Sequence, residues 1–268
     1  MRAFIIIFIS VLVASCTPYQ QVLKKGTPAE KFEAAKKYYK KDDYVRAMPL
    51  LEELMGLYFG KPEREEIFYY YAYNHYGLNE FLLAGYYFRS FNNTYPLSDK
   101  REEMAYMAAV CDFHKTYAYE LDQSNTELAI NSLQSFINQY PNSEYIADCN
   151  KRIDDLRNRL LTKVYESAKL WYKIGDYKAA MVSCTNALED YPDMIHRDEL
   201  MYLIADASYR YANLSVEKVQ LERYETALKS IDAYLKIYQK ENEYYKEVVK
   251  IKEKTTEAIQ ELEAVESK

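Results

Sequence analysis

The sequence predicts an all-α fold, a stack of about five helical hairpins closed by a C-terminal capping helix. Three observations predict it. First, one frame recurs five times: a leading residue, Ala three positions on and Tyr at +14. It reads Tyr44/Ala47/Tyr58, Phe81/Ala84/Tyr95, Thr126/Ala129/Tyr140, Tyr177/Ala180/Tyr191 and Tyr224/Ala227/Tyr238. Such self-similarity marks units that bury their apolar faces on one another. Second, the apolar residues on either side of each frame keep a helical rhythm. Third, the 268 residues are 49% apolar but hold only six Gly and seven Pro, too few turn-formers for many short strands.

In chain order, Met1–Cys16 carries one positive charge at Arg2, then a run that is apolar except for Ser10 up to Val13, then small residues. The run is too short for an ordinary transmembrane helix and has the form of a secretory leader. Its end, Val13-Ala14-Ser15-Cys16, resembles the lipobox of bacterial lipoproteins. That resemblance implies a signal peptide over 1–15, cleavage before Cys16 and lipid on its sulfur, which tethers the chain without spanning the membrane. Thr17 rather than Asp follows the cysteine, which for such lipoproteins implies the outer membrane, facing the periplasm. Residues 16–28 read as a polar, lipidated tether. Its Lys24 and Lys25 either touch anionic headgroups or are simply solvated.

Five hairpins fill residues 29–240. Ala29–Lys41 and Tyr44–Tyr58 form the first, joined at Asp42-Asp43, where short acids cap a helix start. Helices at 62–77 and 79–94 form the second, and a long first helix at about 99–121 with a second at 125–139 the third. The fourth runs from Glu144 to Ile174, breaks at Gly175-Asp176 and continues to Asp190. Trp171, the single tryptophan, is expected to pack the two helices of that repeat together. The fifth runs from Arg197 to Ala212 and Val219 to Gln239. Residues 241–268 read as a charged capping helix with Tyr245, Val248, Thr255, Ile259 and Leu262 on one stripe. Within the frame, the +3 Ala marks close helix approach, where a larger side chain overpacks. Pro96, Pro141 and Pro192 follow the closing Tyr and stop the second helices.

The frame with its terminal Pro resembles the tetratricopeptide repeat, which implies a right-handed superhelical solenoid. Repeat starts lie 37 to 51 residues apart here, from Tyr44 to Phe81 and from Thr126 to Tyr177, against the usual 34. A closer resemblance rests on Pro141-Asn142-Ser143 with Tyr145, on Arg152-Ile153, Leu156-Arg157 and Arg159-Leu160, and on Tyr95-Pro96-Leu97-Ser98 with Ala105-Tyr106-Met107. Standing in this order behind a lipobox, these are similar to the BamD family of outer-membrane assembly lipoproteins. The resemblance implies binding to a BamA-like barrel protein and to unfolded outer-membrane proteins. The charged C-terminal helix is longer than the family implies. The alternative is a lipidated tetratricopeptide scaffold of another envelope complex, for nutrient uptake or secretion.

The residues offer little for catalysis and imply no cofactor. His75, His114 and His196 are isolated, and no metal-ligand spacing, phosphate-binding glycine loop or nucleophile elbow occurs. Acid pairs such as Glu52-Glu53 read as solvated helix faces. Cys111, Cys149 and Cys184 lack ligand spacing and read as small residues buried at helix contacts. A net charge of −6 gives no footprint for nucleic acid.

The thirty tyrosines are the compositional oddity. Tyr69, Tyr73 and Tyr76 lie four and three apart on one helix face. If first helices line the concave side, as the repeat resemblance implies, these three join Phe32 and Tyr39 in a wall for an extended peptide. The same rings equally serve to seal repeat one to repeat two, while Tyr70 and Tyr71 read as packing residues. Arg197, Asp198 and Glu199 are a second candidate contact, for the barrel partner, although acids at a helix start also satisfy its dipole.

Overall fold

The computed structural model describes residues 18–266, and every regular element among them is helical. The leader at 1–15 and Cys16 lie outside the described residues. The helices are α1 (Pro18–Lys25), α2 (Pro28–Tyr39), α3 (Tyr44–Leu57), α4 (Arg64–Gly77), α5 (Phe81–Thr94), α6 (Arg101–His114), α7 (Ser124–Gln139), α8 (Ile146–Lys173), α9 (Tyr177–Asp190), α10 (Arg197–Asn213), α11 (Glu217–Ile237) and α12 (Tyr245–Glu266). Two compact units, Met1–Leu156 and Arg157–Lys268, divide the chain within α8. In the first, α2 pairs with α3, α4 with α5 and α6 with α7. In the second, α10 packs on α9 and α11, and α12 lies against α10 and α11.

The recurring frame is the core of each hairpin's second helix. Ala47, Ala84, Ala129, Ala180 and Ala227 are all 0% exposed, and so are the residues four further on: Leu51, Phe88, Leu133, Cys184 and Ile231. Leu54, Phe91, Phe136, Ala187 and Tyr234, three residues beyond those, are buried too. Their carbonyls accept the N–H of the closing tyrosine in all five repeats, the last helical bond before the chain turns. Buried positions at +3, +7 and +10 draw one stripe down a helix face. Cys111, Cys149 and Cys184 are free and fully buried, as small helix-contact residues should be.

Three hairpin turns share one chemistry. Asp42, Asn79 and Gly175 adopt left-handed φ of 57°, 60° and 84°, each two residues before a leading aromatic. Next in the chain, Asp43, Glu80 and Asp176 donate their N–H back to the carbonyls of Tyr38, His75 and Trp171, at 3.0, 3.0 and 3.1 Å. This six-residue closure satisfies carbonyls that a helix end leaves unpaired. Asp43 and Asp176 then cap the next helix by accepting from the N–H of Arg46 and Ala179. The leading aromatic closes over the junction. A methyl on Gly77 would lie 2.5 Å from the Tyr44 ring, so only Gly fits there.

Four expectations change. Trp171 is less buried than expected: the residue is 41% exposed, and its backbone carbonyl closes the turn. The first helix of repeat three ends at His114, not near residue 121. There the Thr116 hydroxyl donates to the Phe113 carbonyl at 2.8 Å. The buried Gln123 amide then holds the following loop through the carbonyls of Ala118 and Leu121. The stretch read as a polar tether forms α1, because Tyr19, Val22 and Leu23 share one face and pack on the first core. Tyr19 meets Tyr38 edge-on at 5.5 Å. Finally, α12 starts at Tyr245 rather than 241, and Ile251 joins Val248 and Thr255 on its buried stripe.

Replacing the frame alanine by Ala180→Leu is expected to cost about 1–3 kcal/mol through overpacking. Val182→Leu, two residues away and 55% exposed, should be neutral within about 0.5 kcal/mol. Urea unfolding of both variants checks the contrast.

Candidate functional site

Of the five candidate aromatic residues, the first unit brings Phe32, Tyr39, Tyr69 and Tyr73 into one layer, while Tyr76 packs against Phe81 and His114. α4 buries Ile67, Phe68, Tyr71, Ala72, Asn74 and His75. Tyr69, Tyr73 and Tyr76 occupy a separate half-buried stripe. The Tyr69 and Tyr73 rings lie 4.7 Å apart, and Tyr73 meets Phe88 edge-on at 5.0 Å. On the other flank, Phe32 and Tyr39 of α2 contact Tyr70 edge-on at 5.9 and 5.2 Å, and Tyr70 contacts Tyr69 at 5.5 Å. Tyr70, read as a packing residue, is therefore the link that makes the layer continuous. Tyr71 is buried, as expected of packing.

The hydroxyls are where sequence reasoning fell short. Tyr69 and Tyr73 both donate to Glu103 Oε1 of α6, from Tyr69 at 2.9 Å. The Tyr76 hydroxyl lies 3.1 Å from His114 Nε2. These tips face repeat three, so they bind neighbouring helices rather than stand free for a ligand. Burial raises the Tyr73 phenol far above its ordinary range, and the Glu103 charge adds to it. Burial likewise takes Tyr39 to about 12. Lys36 sits 4.6 Å over the Phe32 ring and Lys100 5.6 Å over Tyr69, so cations flank the layer.

The same bond recurs along the chain. Tyr106 donates to Asp148 at 2.7 Å, Tyr165 to Glu199 and Tyr172 to Asp206. Each carboxylate also holds a base: Arg152 on Asp148, Lys169 on Glu199 and Arg210 on Asp206. Glu103, Asp148 and Asp206 were not singled out from sequence, and Glu199 was read only as a candidate partner contact or dipole partner. A signal was present, since Tyr69 to Glu103, Tyr165 to Glu199 and Tyr172 to Asp206 share an offset of 34 residues.

The second candidate surface is similarly engaged within its own unit. Arg197 donates to the Pro192 carbonyl at 3.4 Å, Asp198 accepts from Asn242 at 2.9 Å, and Glu199 takes Tyr165 and Lys169. His196 stacks on Tyr165 at 4.5 Å.

Comparison with known proteins follows from this geometry. The profile of the YfiO family, described as outer membrane lipoprotein, matches residues 24–224. The chain belongs to the YfiO family of outer membrane lipoproteins. A curated relative, "Outer membrane protein assembly factor BamD" of Caulobacter vibrioides, is 26% identical over 117 residues. That match spans 44% of this chain and 38% of the relative. Among solved structures, the tetratricopeptide domain of P58(IPK) aligns over 90% of this chain and 68% of its own, at 14% identity and a TM-score of 0.39. The repeat assignment rests on the hairpins themselves. Among the described residues of this YfiO family member, no helix is long and apolar enough to cross a membrane.

Acid should loosen the stack. Burial raises the Asp148 and Glu199 carboxyls, but bonds from Arg152 and Tyr106, and from Lys169 and Tyr165, outweigh it and hold both below their ordinary 3.8 and 4.5. Their contribution is fully present above about pH 4.5 and is lost as pH falls through the depressed values. His114 is lowered from 6.5 by burial and then by Arg152. The unfolded chain therefore binds its proton first, and stability also falls as pH drops below about 6.5. Urea midpoints should be flat from neutral pH down to that point, decline gently below it, and decline steeply in the carboxylate range. His114→Gln should remove the upper step alone.

Proposed function

We propose that this lipoprotein serves outer-membrane protein assembly as a binding scaffold rather than a catalyst. The match to the YfiO family over residues 24–224 carries this reading, and the assembly role comes from the name of the BamD relative. In this reading residues 1–15 are a signal peptide and 16–28 a tether lipidated at Cys16, short because its helix α1 is docked on the first repeat. Residues 29–240 form the repeats and 241–268 the charged capping helix and tail. The tether places the chain on the periplasmic face of the outer membrane. The aromatic layer of Phe32, Tyr39, Tyr69, Tyr73 and Tyr76 receives extended segments of unfolded outer-membrane proteins, and the later repeats dock on a BamA-like barrel protein.

The layer supports the peptide step through its ring faces. Half-buried tyrosines present broad, rigid surfaces to aromatic side chains at low entropic cost. Because Glu103 already holds the hydroxyls of Tyr69 and Tyr73, recognition in this layer is by stacking rather than by phenol hydrogen bonds to the peptide.

A fluorescent peptide copying the aromatic last strand of a barrel protein should bind the purified chain, and the Tyr73→Ala/Tyr76→Ala variant should bind about tenfold or more weakly. Unchanged affinity in a variant of unaltered helicity removes the layer from the mechanism. For the partner, pull-down from envelopes in mild detergent should recover a barrel protein with periplasmic domains. Recovery of transport or secretion components alone would instead make the chain a scaffold of another envelope complex.

A further inference from the structure

A second concave site in the first unit shares no residue with the aromatic layer. It is a cleft of about 480 Å³ between α5, α6 and α7. Ala105, Ala108, Ala109 and Phe136 supply its apolar lining. The walls are polar, with Arg89, Asn92, Arg101, Asn131 and Ser132 among them. Polar walls in a cleft between packed helices are not a requirement of hairpin packing.

Two atoms of this lining are buried without a partner. Asn92 Oδ1 is an unpaired acceptor, and Arg101 Nε is an unpaired donor. Leaving such atoms dry costs free energy, so a ligand that supplies the missing partners gains by entering. One donor and one acceptor are what the N–H and C=O of an extended main chain provide. The guanidinium of Arg101 donates through Nη1 to the Pro96 carbonyl, at 3.3 Å. Arg89 stands 49% exposed and reaches Asp112 at 3.3 Å, a contact longer than those Asp112 makes with Ser132 at 2.7 Å and Lys115 at 2.6 Å. Arg89 is thus the most weakly held of the three groups on Asp112. Two arginines against one engaged aspartate give the lining a cationic surplus within a chain of net charge −6.

We propose that this cleft binds an extended acidic segment of a partner protein. The segment's main chain meets Asn92 and Arg101, and one of its carboxylates meets Arg89 in the planar, bidentate geometry that guanidinium favours. Asn131, exposed on α7 across the cleft, offers an amide to the next peptide unit.

Fluorescence anisotropy on the full chain tests this with a short labelled peptide alternating Ser and Asp, and with the same peptide carrying Lys for Asp. The acidic peptide should bind saturably and at least about tenfold tighter than the basic one, and Arg101→Met and Asn92→Leu should each weaken it about tenfold. Tyr73→Phe, in the aromatic layer, should leave it unchanged, which separates this cleft from the proposed assembly site. Absence of saturable binding, equal binding of the two peptides, or full affinity in both cleft variants overturns the proposal. If free aspartate displaces the probe as well as unlabelled peptide does, the cleft is an anion site and the peptide assignment fails. Should Arg101→Met lose helicity, Asn131→Trp decides, since it fills the cleft from an exposed position. Retained affinity in that variant also overturns the site.

Discussion

A phenol hydroxyl donated to a carboxylate one repeat further on is the interaction the stack depends on. A tyrosine between two helices buries a large apolar ring, but its polar tip must find an acceptor once water is excluded. Glu103, Asp148, Glu199 and Asp206 are those acceptors. A carboxylate drawn between helices needs compensation for lost hydration. On three of them Arg152, Lys169 and Arg210 supply it, and on Glu103 a second tyrosine does. Five of the thirty tyrosines serve this way. The ring packs, the tip aligns, and a slip of one helical turn would break both at once.

The two helices of each hairpin were unequally legible in the sequence. Second helices pack between their own first helix and that of the next repeat, and the constraint on them is steric, so it leaves a fixed spacing and a fixed small residue. Ala47 and Ala180 were therefore readable, and both are fully buried. The +10 site is as buried but holds Leu, Phe, Ala or Tyr, so no residue type announced it. First helices face the next repeat, and their partners lie in residues that look like ordinary surface acids. Glu103 looks no different from Glu102 until Tyr69 and Tyr73 are seen to converge on it. Trp171 misled for a related reason, because a large ring suggests burial while its backbone carbonyl does the structural work. In repeat three the loop held by Gln123 replaced the end of the expected long helix, and one buried amide has no sequence period to reveal it.

The candidate surface was legible in its members but not in its orientation. Helical spacing placed Tyr69, Tyr73 and Tyr76 together; the structure joins the first two to Phe32 and Tyr39 through Tyr70, and sets Tyr76 against Phe81 and His114. Which edge of each ring stays open is decided by α6, in the following repeat. That turns a wall of free phenols into a layer of rings flanked by lysines, with the hydroxyls of Tyr69 and Tyr73 already taken.

The three buried cysteines have a consequence in time rather than in space. Burial pushes the Cys111 and Cys184 thiols up to about 12 and Cys149 to about 11, so the folded chain presents almost no thiolate. An outer membrane lipoprotein crosses an oxidising compartment, where exposed thiols pair. While still unfolded, this chain has reactive sulfurs whose pairing would join helices that belong apart. Hairpin closure is what withdraws those sulfurs from the oxidant, and the short-range contacts of a repeat fold make such closure fast.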